Sequence, residues 1–92
     1  MIRLSNNEAK AMEFTRFRKK ENITDDELLF AALKFEKAIS TQSGLIFHCL
    51  VRNYNNEYAN VVFGESIKDL KALGENFGHL PEVNHFFDLI EL

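Results

Sequence analysis

The stretch "LIFHCLVRNYNNEYANVVFGES", residues 45–66, sets the strongest limit on what this chain can fold into. Two runs, 45–52 and 57–65, are rich in Ile, Phe, Val and Tyr, and the Asn-rich "NYNN" separates them. β-Branched and aromatic side chains favour the extended backbone. Asn tolerates the left-handed angles of tight turns. The segment therefore reads as a β-hairpin. A four-residue loop pairs Arg52 with Glu57 and His48 with Val61. One face then carries Ile46, His48, Leu50, Ala59, Val61 and Phe63, and the other Phe47, Cys49, Val51, Tyr58, Asn60 and Val62. Neither face is polar, whereas an antiparallel sheet with one side in water shows a polar side. Both faces must be covered.

Two helices are available to cover one of them. In "NITDDELLFAALKFEKAISTQSG", Thr24 with Glu27 three residues later forms a capping box, and Asp25, Asp26 and Glu27 suit the positive end of the helix dipole. Leu28, Ala31, Ala32, Phe35, Ala38 and Ile39 recur at helical spacing, and Gly44 fits a left-handed stop or an adjacent turn. Ser66, with Asp69 at the third position, starts a second and shorter helix over about 67–78, with Leu70, Leu73 and Phe77 inward. Ahead of both, "AMEFTRFRKK" reads as a strand, with Phe14, Arg16 and Arg18 on one side and Glu13, Thr15 and Phe17 on the other.

The tail "HLPEVNHFFDLIEL" fails as a strand, because both alternating sets mix polar and apolar residues. As a helix it presents Val83, Phe86, Phe87 and Ile90 as one stripe, with Pro81 in the first turn; Leu80 is a poor cap. A helix over 81–91 is favoured. A fourth strand is then not assured, and the edge beside the first strand is open to pairing, for instance by "MIRLS" or a second copy.

The order strand, helix, strand, strand, helix opens a split βαβ, ferredoxin-like α+β fold. Residues 11–92 make one domain behind a polar, flexible segment 1–10 in which Ile2 and Leu4 suit a sheet edge. A chain of 92 residues buries only about 60–65% of its unfolded surface. With both helices on one sheet face, the simplest cover for the other is a second copy, so a homodimer packed sheet against sheet is expected.

Net charge is −3, which argues against a nucleic-acid partner, and the basic run Arg16, Arg18, Lys19, Lys20 is offset by Glu21, Asp25, Asp26 and Glu27. "EYANVVFGE" also lacks the basic, Gly-containing pattern of an RNA-binding sheet strand. A single cysteine, Cys49, rules out an internal disulfide and suits a reducing compartment. "MIRLSNNEAK" has no signal-peptide core, and no run approaches the ~20 apolar residues of a membrane span, so a cytoplasmic protein without a membrane partner is expected.

"EFTRFRKK", the capped helix, the hairpin ending "VVFGES" and "LPEVNHFFDLI" together resemble the dimeric α+β barrel superfamily, nearest the small proteins related to antibiotic-biosynthesis monooxygenases. The resemblance spans about residues 11–91. It implies two ferredoxin-like subunits packed by their sheets, with a pocket beneath the helices or inside the barrel. The superfamily includes cofactor-free monooxygenases, haem-degrading enzymes and isomerases. In the relatives a last strand follows the tail helix. They often carry a Trp where this chain has Gly64, as part of an Asn–Trp–His set, and this chain has no Trp at all. What has a counterpart is Tyr58, at an aromatic position, and Asn60, at a polar, pocket-facing one.

The candidate pocket residues are His48, Tyr58, Asn60, Arg16 and Cys49. His48 lies mid-strand among apolar neighbours, as a base, an orienting group or a satisfied interior histidine. Tyr58 and Asn60 share a face beside Cys49 and can hydrogen-bond a small ligand. Arg16 can clamp a carboxylate or pair with Glu13 or Glu65. Cys49 has no neighbouring cation in sequence to activate it. His48, His79 and His85 lie on separate elements without metal-ligand spacing, and no phosphate-binding Gly pattern is present, so neither metal nor cofactor is expected. The reading is a homodimeric barrel domain of unknown specific function that binds a small, mainly apolar molecule. The alternative is a cofactor-independent monooxygenase- or isomerase-like enzyme.

Overall fold

A computed structural model describes residues 2–53 and 55–92; Met1, and Tyr54 of the expected turn, lie outside the described residues. The elements are β1 (Ile2–Arg3), β2 (Ala11–Lys19), α1 (Asp25–Ile39), β3 (Leu45–Arg52), β4 (Tyr58–Gly64), α2 (Ile67–Phe77), α3 (Pro81–Asp88) and β5 (Ile90–Glu91). The strands form one antiparallel sheet in the order β1-β3-β4-β2-β5. This is the expected ferredoxin-like α+β arrangement, with β4 and β2 as neighbours at its centre.

The caps work as the sequence predicts. The Glu27 N–H donates to Thr24 Oγ1 (3.1 Å) and the Asp69 N–H to Ser66 Oγ (3.1 Å). Gly44 takes a φ of 82°, and a Cβ there would run into the Asp69 carboxylate, so the turn before β3 has two reasons to be glycine. Leu28, Ala31, Ala32, Phe35 and Ile39 of α1 are buried against Phe17, Leu45, Tyr58 and Val62 of the sheet and Val83 and Phe86 of α3. Phe86 sits at the centre of this core, edge-on to Phe17 (5.9 Å) and stacked on Phe35 (5.0 Å).

The hairpin differs from its expected register by one residue. Arg52 pairs with Tyr58 and His48 with Val62. The reason lies in Asn53, whose N–H donates to the Glu57 carbonyl (2.9 Å) and so adds a pair beyond Arg52. Its side-chain oxygen accepts from the Asn55 and Glu57 N–H groups, and Asn56 takes a φ of 60°. The connection is thus a shorter loop with a left-handed Asn near its end. A one-residue shift exchanges faces throughout a strand. His48 and Leu50 therefore share the helix-covered face with Tyr58, Asn60 and Val62. Cys49 lies on the opposite face with Phe47, Ala59, Val61 and Phe63.

The tail is helical through Asp88, without a side-chain cap at Leu80. The helix stops three residues short of the expected end. Lys20 N–H donates to the Leu89 carbonyl (2.9 Å), and Ile90 and Glu91 then pair with Lys19 and Arg18 as the short β5. A two-residue strand leaves no alternation in the sequence, whereas Ile90 satisfies the helical stripe and the core alike. At the other end, β1 extends the outer edge of β3, opposite Phe47 and His48. Most of the β2 edge beyond Arg18 has no strand partner among the described residues. No helix among the described residues is long and apolar enough to cross a membrane.

Candidate functional site

Between the sheet and the three helices lies a cavity of about 320 Å³. Its interior is apolar: Phe17, Phe35, Ile39, Val62, Leu70 and Phe86 line it. The polar groups at its wall come from neighbouring strands. Asn60 is on β4, its direct cross-strand partner Thr15 on β2, and Glu13 two residues from Thr15 towards the exposed rim. Leu73, Gly74 and Phe77 of α2 and Leu92 complete the wall.

Asn60 is not an isolated amide. Its Oδ1 lies 2.5 Å from His48 Nε2, and His48 Nδ1 lies 2.5 Å from Glu36 Oε2. All three residues are buried, His48 at 1% exposure. Thr15 of β2 pairs directly with Asn60 of β4, His48 of β3 reaches Asn60 diagonally, and Glu36 of α1 meets His48 from the helix side. Phe35 covers the His48 ring at 5.5 Å. No buried side-chain nitrogen or oxygen among the described residues lacks a hydrogen-bond partner, as a buried polar chain requires. An ionised carboxylate and an amide oxygen only accept, and the donor and acceptor roles of the ring nitrogens follow the tautomer.

The other candidates fall elsewhere. Tyr58 shares the Asn60 face but turns towards the opposite end of the sheet. It stacks on Phe17 (5.7 Å), and its hydroxyl donates to Asp25 Oδ1. That hydrogen bond, against the opposing effect of burial and with help from Lys19 and Arg52, holds the Asp25 carboxyl below its ordinary value. Burial, then the bond to Asp25, raises the Tyr58 phenol. Arg16, on the far face, pairs with Glu57 at 2.9 Å rather than with Glu13 or Glu65. Cys49 is buried on that far face and does not adjoin Tyr58 or Asn60. The structure thus brings together His48 and Asn60 and separates Tyr58, Arg16 and Cys49 from them.

Glu36 and Thr15 were not among the sequence candidates. Glu36 stands four residues after Ala32 and three before Ile39, on the flank of the apolar stripe. That spacing is the signal that could have marked it as buried. No group of three or more His, Cys, Asp or Glu side chains among the described residues could hold a metal ion.

No known protein-family model matches the chain, and no curated protein sequence matches it. Among solved structures it is similar to SnoaB, a cofactor-independent oxygenase from Streptomyces nogalater, crystallised as an asparagine-to-alanine variant. The TM-score is 0.74 at 17% identity, over 87% of this chain and 82% of that one. The likeness is one of fold. The chain has a ferredoxin-like α+β fold. At Gly64, where the resembled proteins often carry Trp, a Cβ would lie 2.8 Å from Leu70 Cδ2. Leu70 of α2 occupies the space such a side chain would need.

Proposed function

We propose that the protein binds a small, mainly apolar molecule in the cavity beneath its helices, with the Asn60 amide as the principal polar contact. One observation carries this reading: in a mainly apolar cavity of about 320 Å³, a single amide is braced from behind by two further buried polar side chains. Ligand sites commonly have this make-up, apolar walls with a few fixed polar groups. The volume suits a two-ring aromatic compound. A thermal-shift screen of bicyclic phenols and ketones tests it. Binding raises the melting temperature, and Asn60→Ala weakens affinity about tenfold, the worth of one net hydrogen bond. Gly74→Trp, at a position where a Cβ would meet no atom within 4 Å, obstructs the rim and lowers affinity further. A screen with no stabilising compound sinks the reading.

The same proposal includes a homodimer. Met12 and Phe14 are more than half exposed on the sheet face that no helix covers, beside Phe47, Val61 and Phe63. A second copy placed sheet to sheet buries them. Light scattering at micromolar concentration should return twice the chain mass, and Phe14→Glu the mass of one chain. A wild-type monomer rejects the dimer. The lone Cys49 accords with a reducing, cytoplasmic location.

A second reading is a cofactor-independent oxygenase, favoured by the fold shared with SnoaB and by a histidine–carboxylate pair one side chain from the cavity. Oxygen uptake above background with a bicyclic phenol, lost in both His48→Ala and Asn60→Ala, supports it. Uptake that survives both substitutions counts against it.

A further inference from the structure

The geometry points to Glu36 as the residue that fixes which end of the Asn60 amide faces the cavity, and it sets the cavity to take ligands bearing a hydrogen-bond acceptor. This rests on the ligand-binding reading above. The steps are chemical. A carboxylate only accepts, so Glu36 Oε2 at 2.5 Å holds a proton on His48 Nδ1. Nε2 lies 2.5 Å from Asn60 Oδ1, which also only accepts, so Nε2 donates to it. With its oxygen committed, the amide turns its NH₂ end away from His48. That nitrogen has no hydrogen bond to another described residue, and it is absent from the buried groups left without one. Asn60 lines the cavity, so the end of the amide left to face it is a donor.

A ketone, quinone or similar oxygen on an apolar frame matches that donor. An indole-type N–H, which donates and has no free lone pair to accept with, does not. In Glu36→Gln the new amide can either accept from Nδ1 or donate to it, so Nε2 is no longer held as a donor and the Asn60 amide can turn either end to the cavity. The preference of the site is then lost. Glu36 is a positioning residue: it touches no ligand and acts through His48.

The experiment uses the full chain, wild type and Glu36→Gln, with two rigid bicyclic probes of similar size. 1-Indanone only accepts and indole only donates. Long-range ¹H–¹⁵N spectra of the free protein should show both His48 ring nitrogens protonated in the wild type, and no longer both in Glu36→Gln. Calorimetric titration should show 1-indanone preferred about tenfold over indole by the wild type, with that discrimination lost in the variant. A wild-type spectrum with unprotonated Nε2 overturns the inference without recourse to any variant. So does undiminished discrimination in Glu36→Gln. If the spectra change as stated and neither probe binds either protein, the orientation by Glu36 stands and the ligand-binding reading fails.

Discussion

Removing His48 alone should cost far more than removing it together with Glu36. His48→Leu deletes an imidazole at 1% exposure and takes from the Glu36 carboxylate, itself 7% exposed, a close buried partner. Breaking one side of a buried ionic pair costs about 3–5 kcal/mol. Asn60 also loses its partner, but it lines the cavity and its amide can turn to meet water there, so little is added. For a domain of this size, 1 kcal/mol moves the melting temperature by roughly 4–8 °C, so even the lower cost lowers it by more than 10 °C. Glu36→Met with His48→Leu replaces both groups with apolar ones of similar volume, an exchange that is commonly neutral or stabilising. The double variant should lie within about 1 kcal/mol of wild type, which gives a coupling of at least 2 kcal/mol. Urea unfolding of the four proteins at one fixed protomer concentration measures it, since association shifts apparent stability. Additive losses would falsify the claim that the two side chains form one buried unit.

Three further outcomes follow from other parts of the molecule. Asp25, held below 3.8 in the folded state, contributes stability above that value that is lost as pH falls through the lowered one; Tyr58, raised above 10.0, contributes stability lost as pH rises beyond 10.0. Tyr58→Phe should flatten both limbs of a melting-temperature profile, and unchanged limbs would show that the bond carries no weight. Phe86→Ala, at 0% exposure and packed on three other phenylalanines, should cost about 3–5 kcal/mol in urea unfolding and enlarge the cavity; a loss under 1 kcal/mol would place α3 outside the core. Asn56→Gly should be close to neutral, whereas Asn56→Val at a φ of 60° should cost about 1–2 kcal/mol; equal stability of the two would deny the left-handed turn.

Much of the fold was legible because its signals are local. Thr24 with Glu27, and Ser66 with Asp69, mark helix starts by chemistry that acts over three residues. The apolar stripe of the tail separated helix from strand through Asp88. The hairpin register was not legible, because it hangs on one backbone bond, Asn53 to Glu57, for which composition offers no sign. That single residue decided whether His48 or Cys49 faces Asn60. β5 escaped notice because two residues pair by position rather than by pattern. Asn60 and His48 were visible as polar groups in apolar runs. Glu36 was not, since a charged residue in a helix ordinarily faces water, and its partner His48 lies across the core, far from it in sequence pattern. Thr15 and Glu13 were placed on the right face of β2, but the cavity that gives them meaning depends on how α2 and α3 sit.

The buried pair also bears on why the chain keeps charge in its core at all. An ionic pair of this kind adds little net stability over apolar side chains of equal volume. Stability alone therefore does not explain a carboxylate and an imidazole at this place. What the pair does supply is orientation: an amide at the wall of an apolar cavity would otherwise be free to turn either end inward, and a fixed orientation lowers the cost of binding one kind of ligand. The two accounts separate in one protein. In the Glu36→Met, His48→Leu double variant, a merely structural pair predicts near-native stability with 1-indanone and indole bound in the wild-type order. A positioning pair predicts the same stability with the discrimination gone, since nothing then holds the Asn60 amide to one side.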